Sequence, residues 1–157
     1  MLNYDDLVAE ASSRVKEIMP WDLHLWLESG KMPILLDVRE PAEFEQIHIA
    51  GSINLPRGVL EQGCEWNYDE TVPELAAGRH RLVVVICRSG KRSALAADVL
   101  LRLGFTDVVS LKTGIRGWND CEHPLINVAG EALDADAGDA LLAPRLRPEQ
   151  KFPSRPH

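Results

Sequence analysis

The chain is poor in cysteine and has no long apolar run. Its three cysteines, Cys64, Cys87 and Cys121, lie too far apart in sequence for a metal knuckle or a paired redox motif. An odd count in a chain of 157 residues also argues against a disulfide scaffold. Five scattered histidines point to no metal site. No apolar stretch approaches the roughly 20 residues that span a bilayer. Met1 to Asp6 is acidic, whereas a secretory leader starts basic and turns apolar, so a cytoplasmic location is expected. Basic charge is in deficit too: 17 Lys and Arg against 24 Asp and Glu leave a net charge of -7. That balance disfavours nucleic acid and anionic membrane as partners. It also makes any local basic cluster informative. There are no internal repeats.

What is present suits one soluble domain with modest extensions. The hydrophobic fraction of 45% and charged fraction of 26% are ordinary for a buried core. Residues 1–19 read as an N-terminal helical extension, with Asn3 as cap and Tyr4, Leu7, Val8, Ala11 and Val15 at helical spacing. A short helix follows from Trp21 to Ser29. Ile34 to Val38 has strand length, Pro41 to Gln46 has helical spacing, and Ile49 to Leu55 reads as a loop entering a second short strand. Arg57 to Gly78 is an irregular connection holding Cys64, Trp66 and Tyr68.

Leu82 to Ile86 is the clearest strand. It is uniformly apolar and β-branched, which suits the centre of a parallel sheet. Ala94 to Leu103 reads as the best helix, ended by Gly104, and Val108 to Leu111 as another strand. Alternating strands and helices define an α/β class with a mostly parallel sheet flanked by helices. Beyond Pro124 no sustained apolar period survives, apart from a weak Leu141-Leu142 pair. Residues 124–157 therefore read as a flexible or loosely docked tail.

Between the best strand and the best helix lies Cys87-Arg88-Ser89-Gly90-Lys91-Arg92-Ser93. That is the carboxyl edge of a parallel sheet, where α/β proteins place ligands. Free N–H groups at a helix start favour an anion, and a tight loop aims more of them inward. Gly90 permits such a curl. Three cations at a helix start oppose the dipole unless something anionic sits among them. Cys87 is therefore expected to act as a thiolate rather than as a small buried hydrophobe.

This loop resembles the active-site loop of the rhodanese family, the single-domain thiosulfate sulfurtransferases. Asp37-Val38-Arg39-Glu40 resembles the family's signature after its first core strand. Glu43-Phe44 with His48 to Pro56 resembles its second signature. Leu111 to Gly114, with Trp118 behind, resembles its last one. The matches run in the family's order over roughly residues 20 to 122, and residues 20–123 are the expected domain. There are two departures. Ile47 stands where the second signature has glycine, and Thr113 replaces the first of two glycines in the last.

The resemblance implies a three-layer rhodanese-like fold and a two-step reaction. Cys87 takes sulfane sulfur from thiosulfate as a persulfide, then hands it to cyanide or a thiol. No cofactor is implied. Backbone amides from Arg88 to Ser93 are expected to cradle the sulfur, and Arg88, Lys91 and Arg92 to attract the anionic donor, although Arg92 can instead brace the loop. Ser89 and Ser93 are candidate helix caps. Asp37 and Arg39 are expected to support the loop. Cys64 or Cys121 could resolve an oxidised Cys87 only if close in space.

Two other readings compete. One is a persulfide carrier that delivers sulfur to an acceptor protein. The other is a cysteine-dependent phosphatase or arsenate reductase. Four residues separate Cys87 from Arg92, one fewer than in the phosphatase signature, and the tighter loop suits a sulfur atom. A purely non-enzymatic module is disfavoured, because Cys87 and all three loop cations are present.

Overall fold

The computed structural model describes residues 1–153. Helix α1 (Tyr4–Arg14) is capped by Asn3, whose side chain accepts from the Asp6 amide at 2.8 Å while Asp6 returns a bond to the Asn3 amide at 3.0 Å. Strand β1 (Lys16–Ile18) and helix α2 (Pro20–Glu28) follow. Next come β2 (Ile34–Asp37), α3 (Pro41–Gln46) and β3 (Ile53–Asn54). The long connection holds a 3-10 turn at Arg57–Val59 and two single-turn helices, α4 (Leu60–Gly63) and α5 (Pro73–Ala76). Then come β4 (Leu82–Ile86), α6 (Lys91–Arg102), β5 (Asp107–Leu111) and α7 (Gly114–Asp120). A two-stranded ribbon of β6 (Leu125–Ile126) and β7 (Ala132–Leu133) leads to α8 (Ala135–Leu142) and a 3-10 turn at Pro148–Gln150.

The five-stranded sheet has the order β1-β5-β4-β2-β3, and every pairing is parallel. β4 is central, with Ile34 opposite Val83 on one side and Val84 opposite Val109 on the other. Successive residues point to opposite faces of the pleat, so the apolar run builds two cores. Ile34, Leu36, Val83, Val85 and Val108 face Ala96, Ala97 and Leu100 of α6, together with Leu60 and Leu75. Leu35, Val84, Ile86, Val109 and Leu111 face Leu23 of α2 and Ile115 and Trp118 of α7. Helices on both faces give the three-layer α/β fold that the sequence implies.

Two segments differ from the sequence reading. Residues 1–19 are not helical throughout, because Lys16–Ile18 pairs with Val109–Leu111 as an edge strand. Three residues are too few to display a strand period, and only Ile18 is buried. Residues 124–142 are not a loose tail either. Leu125 and Leu142 are buried in the second core. Ile126 exchanges backbone bonds with His48, donating at 2.9 Å and accepting at 2.8 Å. Asn119 Nδ2 donates to Ala135 O at 3.0 Å and to Asp139 Oδ1 at 2.9 Å, which clamps α8 onto α7. Two well-spaced leucines anchor this segment, and such sparse anchors leave little periodicity to read. Residues 154–157 of the predicted tail lie outside the described residues.

Among the described residues no helix is long and apolar enough to cross a membrane.

Candidate active site

β4 delivers Cys87 to the carboxyl edge of the sheet, and the chain turns at once into α6. Gly90 is the residue before the helix, with φ of +95°. α6 therefore starts at Lys91, three residues earlier than its apolar ridge indicates. Cys87 Sγ sits inside the turn and accepts from the Gly90 amide at 3.1 Å and the Ser93 amide at 3.3 Å. The Ser93 hydroxyl lies 3.4 Å from the sulfur and 2.8 Å from the hydroxyl of Ser110 on β5. Ser93 is thus no helix cap. It is fully buried and touches the Cys87 sulfur. Ser89 is exposed and caps nothing, because Gly90 holds the cap position without a side chain.

A second loop pins the first. Ile115 N donates to Cys87 O at 2.9 Å and Arg116 N to Arg88 O at 3.0 Å. This contact requires glycine at two points. A Cβ on Gly114 would lie 2.3 Å from Cys87 O, and one on Gly90 would lie 2.9 Å from Thr113 N. Both glycines also hold positive φ. Thr113 has φ of +68°, in the left-handed region that suits glycine, and its buried hydroxyl has no hydrogen-bond partner. Ile47, the other departure, has φ of -161°, which any residue adopts. Its side chain is buried in the second core, so glycine's freedom is not needed there.

The three loop cations diverge. Lys91 is exposed, pairs with Asp5 of α1 at 2.7 Å and lies over the Tyr4 ring. Arg92 is half-buried and makes two parallel bonds to Glu43 of α3, at 2.8 and 2.9 Å. The Arg92 guanidinium holds the Glu43 carboxyl below the usual carboxylate range, and Glu43 in turn raises Arg92. Arg88 donates to the backbone carbonyl of Leu142 at 2.6 and 3.2 Å. None of the three side chains hydrogen-bonds the sulfur. The donors on it are backbone amides, so Lys91 and Arg92 serve here as tethers for α1 and α3.

Asp37 and Arg39 form a fully buried pair. Arg39 Nη2 donates to Asp37 Oδ2 at 2.8 Å and to Ile47 O at 2.6 Å. Asp37 also accepts the Arg39 amide at 3.1 Å. The pair ties the end of β2 to the segment after α3, beside the Glu43 that holds Arg92. His48 stacks on Phe44 at 3.9 Å and contacts Phe44 O at 2.7 Å, a packing position.

Burial pushes the Cys64 thiol up to about 11, which makes it a poor resolving thiol. Cys121 is exposed at the end of α7. Trp66 and Tyr68 are half exposed on the long connection. Among the described residues no group of His, Cys, Asp or Glu could hold a metal ion. Sequence reasoning missed Ser110 and Leu142 as partners of the site. Each meets its partner only through long-range folding, with no local signal.

A parallel sheet whose central strand runs into a cysteine held by two backbone amides, with helices on both faces, defines a class of α/β proteins with one thiol at the sheet's carboxyl edge. The family model of the rhodanese-like domain matches residues 20–121, and the chain belongs to that family. A Mycobacterium tuberculosis relative, "Probable adenylyltransferase/sulfurtransferase MoeZ", is 34% identical over 110 residues, which is 70% of this chain and 26% of that protein. The chain thus spans about a quarter of the length of that relative. Thiosulfate sulfurtransferase 16 of Arabidopsis thaliana is 38% identical over 86 residues, 53% of this chain and 71% of that one.

Two solved structures are similar in fold. A Rhodopseudomonas palustris protein of unknown function, described as a possible tyrosine phosphatase, has a TM-score of 0.73 and 26% identity. It covers 80% of this chain and 96% of its own. A rhodanese-related protein from Thermoplasma volcanium has a TM-score of 0.57 and 31% identity, over 71% and 97% of the two chains.

Proposed function

We propose that this protein is a thiosulfate sulfurtransferase that works through a Cys87 persulfide. The observation that carries this reading is the convergence of the Gly90 and Ser93 amides on Cys87 Sγ. Such donors complement negative charge on sulfur and need no reorganisation during reaction. Neither a general base nor a metal is required of the loop.

In the first step the Cys87 thiolate attacks the outer sulfur of thiosulfate. A Cys87 S–S bond forms, the thiosulfate S–S bond breaks, and its electron pair leaves with sulfite. In the second step a thiolate or cyanide attacks the terminal sulfur, and Cys87 is released as thiolate. The amides of Gly90 and Ser93 hold the loop sulfur in both states. Arg88 provides the cation nearest in sequence for the departing sulfite. Ser93 orients the sulfur through its link to Ser110. Asp37, Arg39, Lys91 and Arg92 hold the loop's surroundings, while Ser89 is free to meet solvent.

A carrier that passes its sulfur to an acceptor protein shares the first step and differs only in the second. The phosphatase reading is weaker, because Arg92 stands one residue short of the phosphatase spacing from Cys87 and is already bidentate to Glu43.

The test is an intact mass. Reduced protein is incubated with thiosulfate, freed of donor and weighed, with Cys87→Ser as control. A gain of one sulfur, about 32 Da, that is absent in the variant and removed by cyanide supports the reading. Failure of every sulfane donor, alongside hydrolysis of an aryl phosphate, overturns it in favour of the phosphatase.

A further inference from the structure

A cavity of about 230 Å³ opens beside the Cys87 loop. Its walls come from Arg88, Gln46, Ile47, Leu141, Leu142 and Arg145. Much of that wall therefore belongs to residues 141–145, beyond the 20–121 of the family match. Glu43 and Arg39 also reach it, but each is neutralised, by Arg92 and by Asp37. Arg88 meets only a carbonyl, and Arg145 has no ion pair among the described residues. In a chain of net charge -7, this cavity keeps two guanidiniums without an ion-pair partner among the described residues.

Its size exceeds what thiosulfate needs. At roughly 30 Å³ per water, it holds about seven or eight water-sized groups. The leucines and Ile47 add apolar wall to the two guanidiniums. That combination suits a ligand with an aliphatic body and a terminal carboxylate.

We propose that Arg145 is a specificity-determining residue that binds the carboxylate of a small carboxylated thiol taking sulfur from Cys87. This rests on the persulfide reading above. The thiolate of the acceptor attacks the terminal sulfur of Cys87–S–SH. The acceptor gains a new S–S bond, the Cys87 S–S bond breaks, and its electron pair remains on Cys87 as thiolate. Arg145 lies three residues past the docked Leu142, so the C-terminal segment, and not the shared domain, selects the acceptor.

The experiment uses the full chain, with Arg145→Gln and Arg145→Lys. Arg145 is exposed, so neither change disturbs the core. Persulfide-loaded protein is discharged with mercaptosuccinate and, separately, with uncharged 2-mercaptoethanol. Loss of one charge-assisted contact is expected to lower the mercaptosuccinate-to-mercaptoethanol rate ratio about tenfold in Arg145→Gln, through KM. Arg145→Lys recovers part of it, and high salt erases the difference. An unchanged ratio, or equal losses with both thiols, overturns the inference. Calorimetric titration of mercaptosuccinate into wild type and Arg145→Gln decides the Arg145 contact even if thiosulfate leaves no persulfide. Weaker binding to the variant supports the contact, and equal binding sinks it.

Discussion

The guanidinium of Arg92 and the carboxylate of Glu43 lie side by side, with nitrogen–oxygen distances of 2.8 and 2.9 Å. This pair joins the first turn of the cysteine-loop helix to α3, and so fixes the loop from its far side. Glu43 is held below its ordinary pKa, first by its hydrogen bonds to Arg92. A carboxyl lowered on folding contributes stability above its unfolded value, about 4.3, and loses it as pH falls through the folded value. Thermal midpoints measured from pH 7 to pH 3 should therefore fall at the acid end. Asp98, lowered by Arg14, contributes to the same fall. Glu43→Gln isolates the share of Glu43: it should cost about 1 kcal/mol at pH 7 and flatten the acid limb. An acid limb equally steep in the variant would show that Glu43 does not drive it.

Ser93 offers a second test. Its hydroxyl bridges Cys87 and Ser110, and all three residues are buried. Ser93→Ala leaves the Ser110 hydroxyl buried without that partner, at a cost of about 1–3 kcal/mol in chemical denaturation. Both amides on the sulfur remain, so persulfide formation should slow but survive, unlike in Cys87→Ser. Full loss of sulfur loading by a folded Ser93→Ala would mean that the hydroxyl, not the amides, is the essential donor.

Thr113 and Gly114 are neighbours with positive φ and opposite expectations. A β-branched residue at φ of +68° is strained by roughly 1–2 kcal/mol, and the buried Thr113 hydroxyl lacks a partner. Thr113→Gly should raise stability by about 1 kcal/mol, after the entropy that glycine adds to the unfolded chain. Gly114→Ala drives a methyl against Cys87 O at 2.3 Å, so it should cost more than about 3 kcal/mol and disable sulfur loading. Gly130→Ala, also at positive φ but facing open space, supplies the strain-only control at about 1 kcal/mol.

Much of this site is legible because its signals are local. Val83 to Ile86 of β4 are β-branched and buried, and a cysteine followed by Gly90 and a helical ridge marks the sheet edge. The nature of the loop and the order of its flanking motifs follow from residues adjacent in sequence. The destinations of the cations are not local. Whether Arg92 faces a substrate or Glu43 depends on a residue 49 positions away, and Lys91 meets Asp5 across 86 positions. β1 is too short to show a period. α8 is held by Leu142 and by polar bonds from Asn119, neither of which leaves a pattern in the chain.

The docked C-terminal segment gives the last prediction. Leu142 is 5% exposed in the second core, and its carbonyl holds Arg88. Burial of a leucine stabilises by roughly 1.5–3 kcal/mol, and cutting it back in a packed site costs about 2–5 kcal/mol. Leu142→Ala should therefore lower the unfolding midpoint while leaving the backbone carbonyl in place. A chain ending at residue 133 loses both the side chain and the carbonyl. It should lose comparable stability and also free Arg88, which raises KM for thiosulfate more than Leu142→Ala does. A loosely attached tail would behave otherwise: neither variant would shift the midpoint, and both would load sulfur like the full chain. Measuring both variants separates the packing role of the leucine from the positioning role of its carbonyl, because only truncation removes the acceptor of the Arg88 hydrogen bonds.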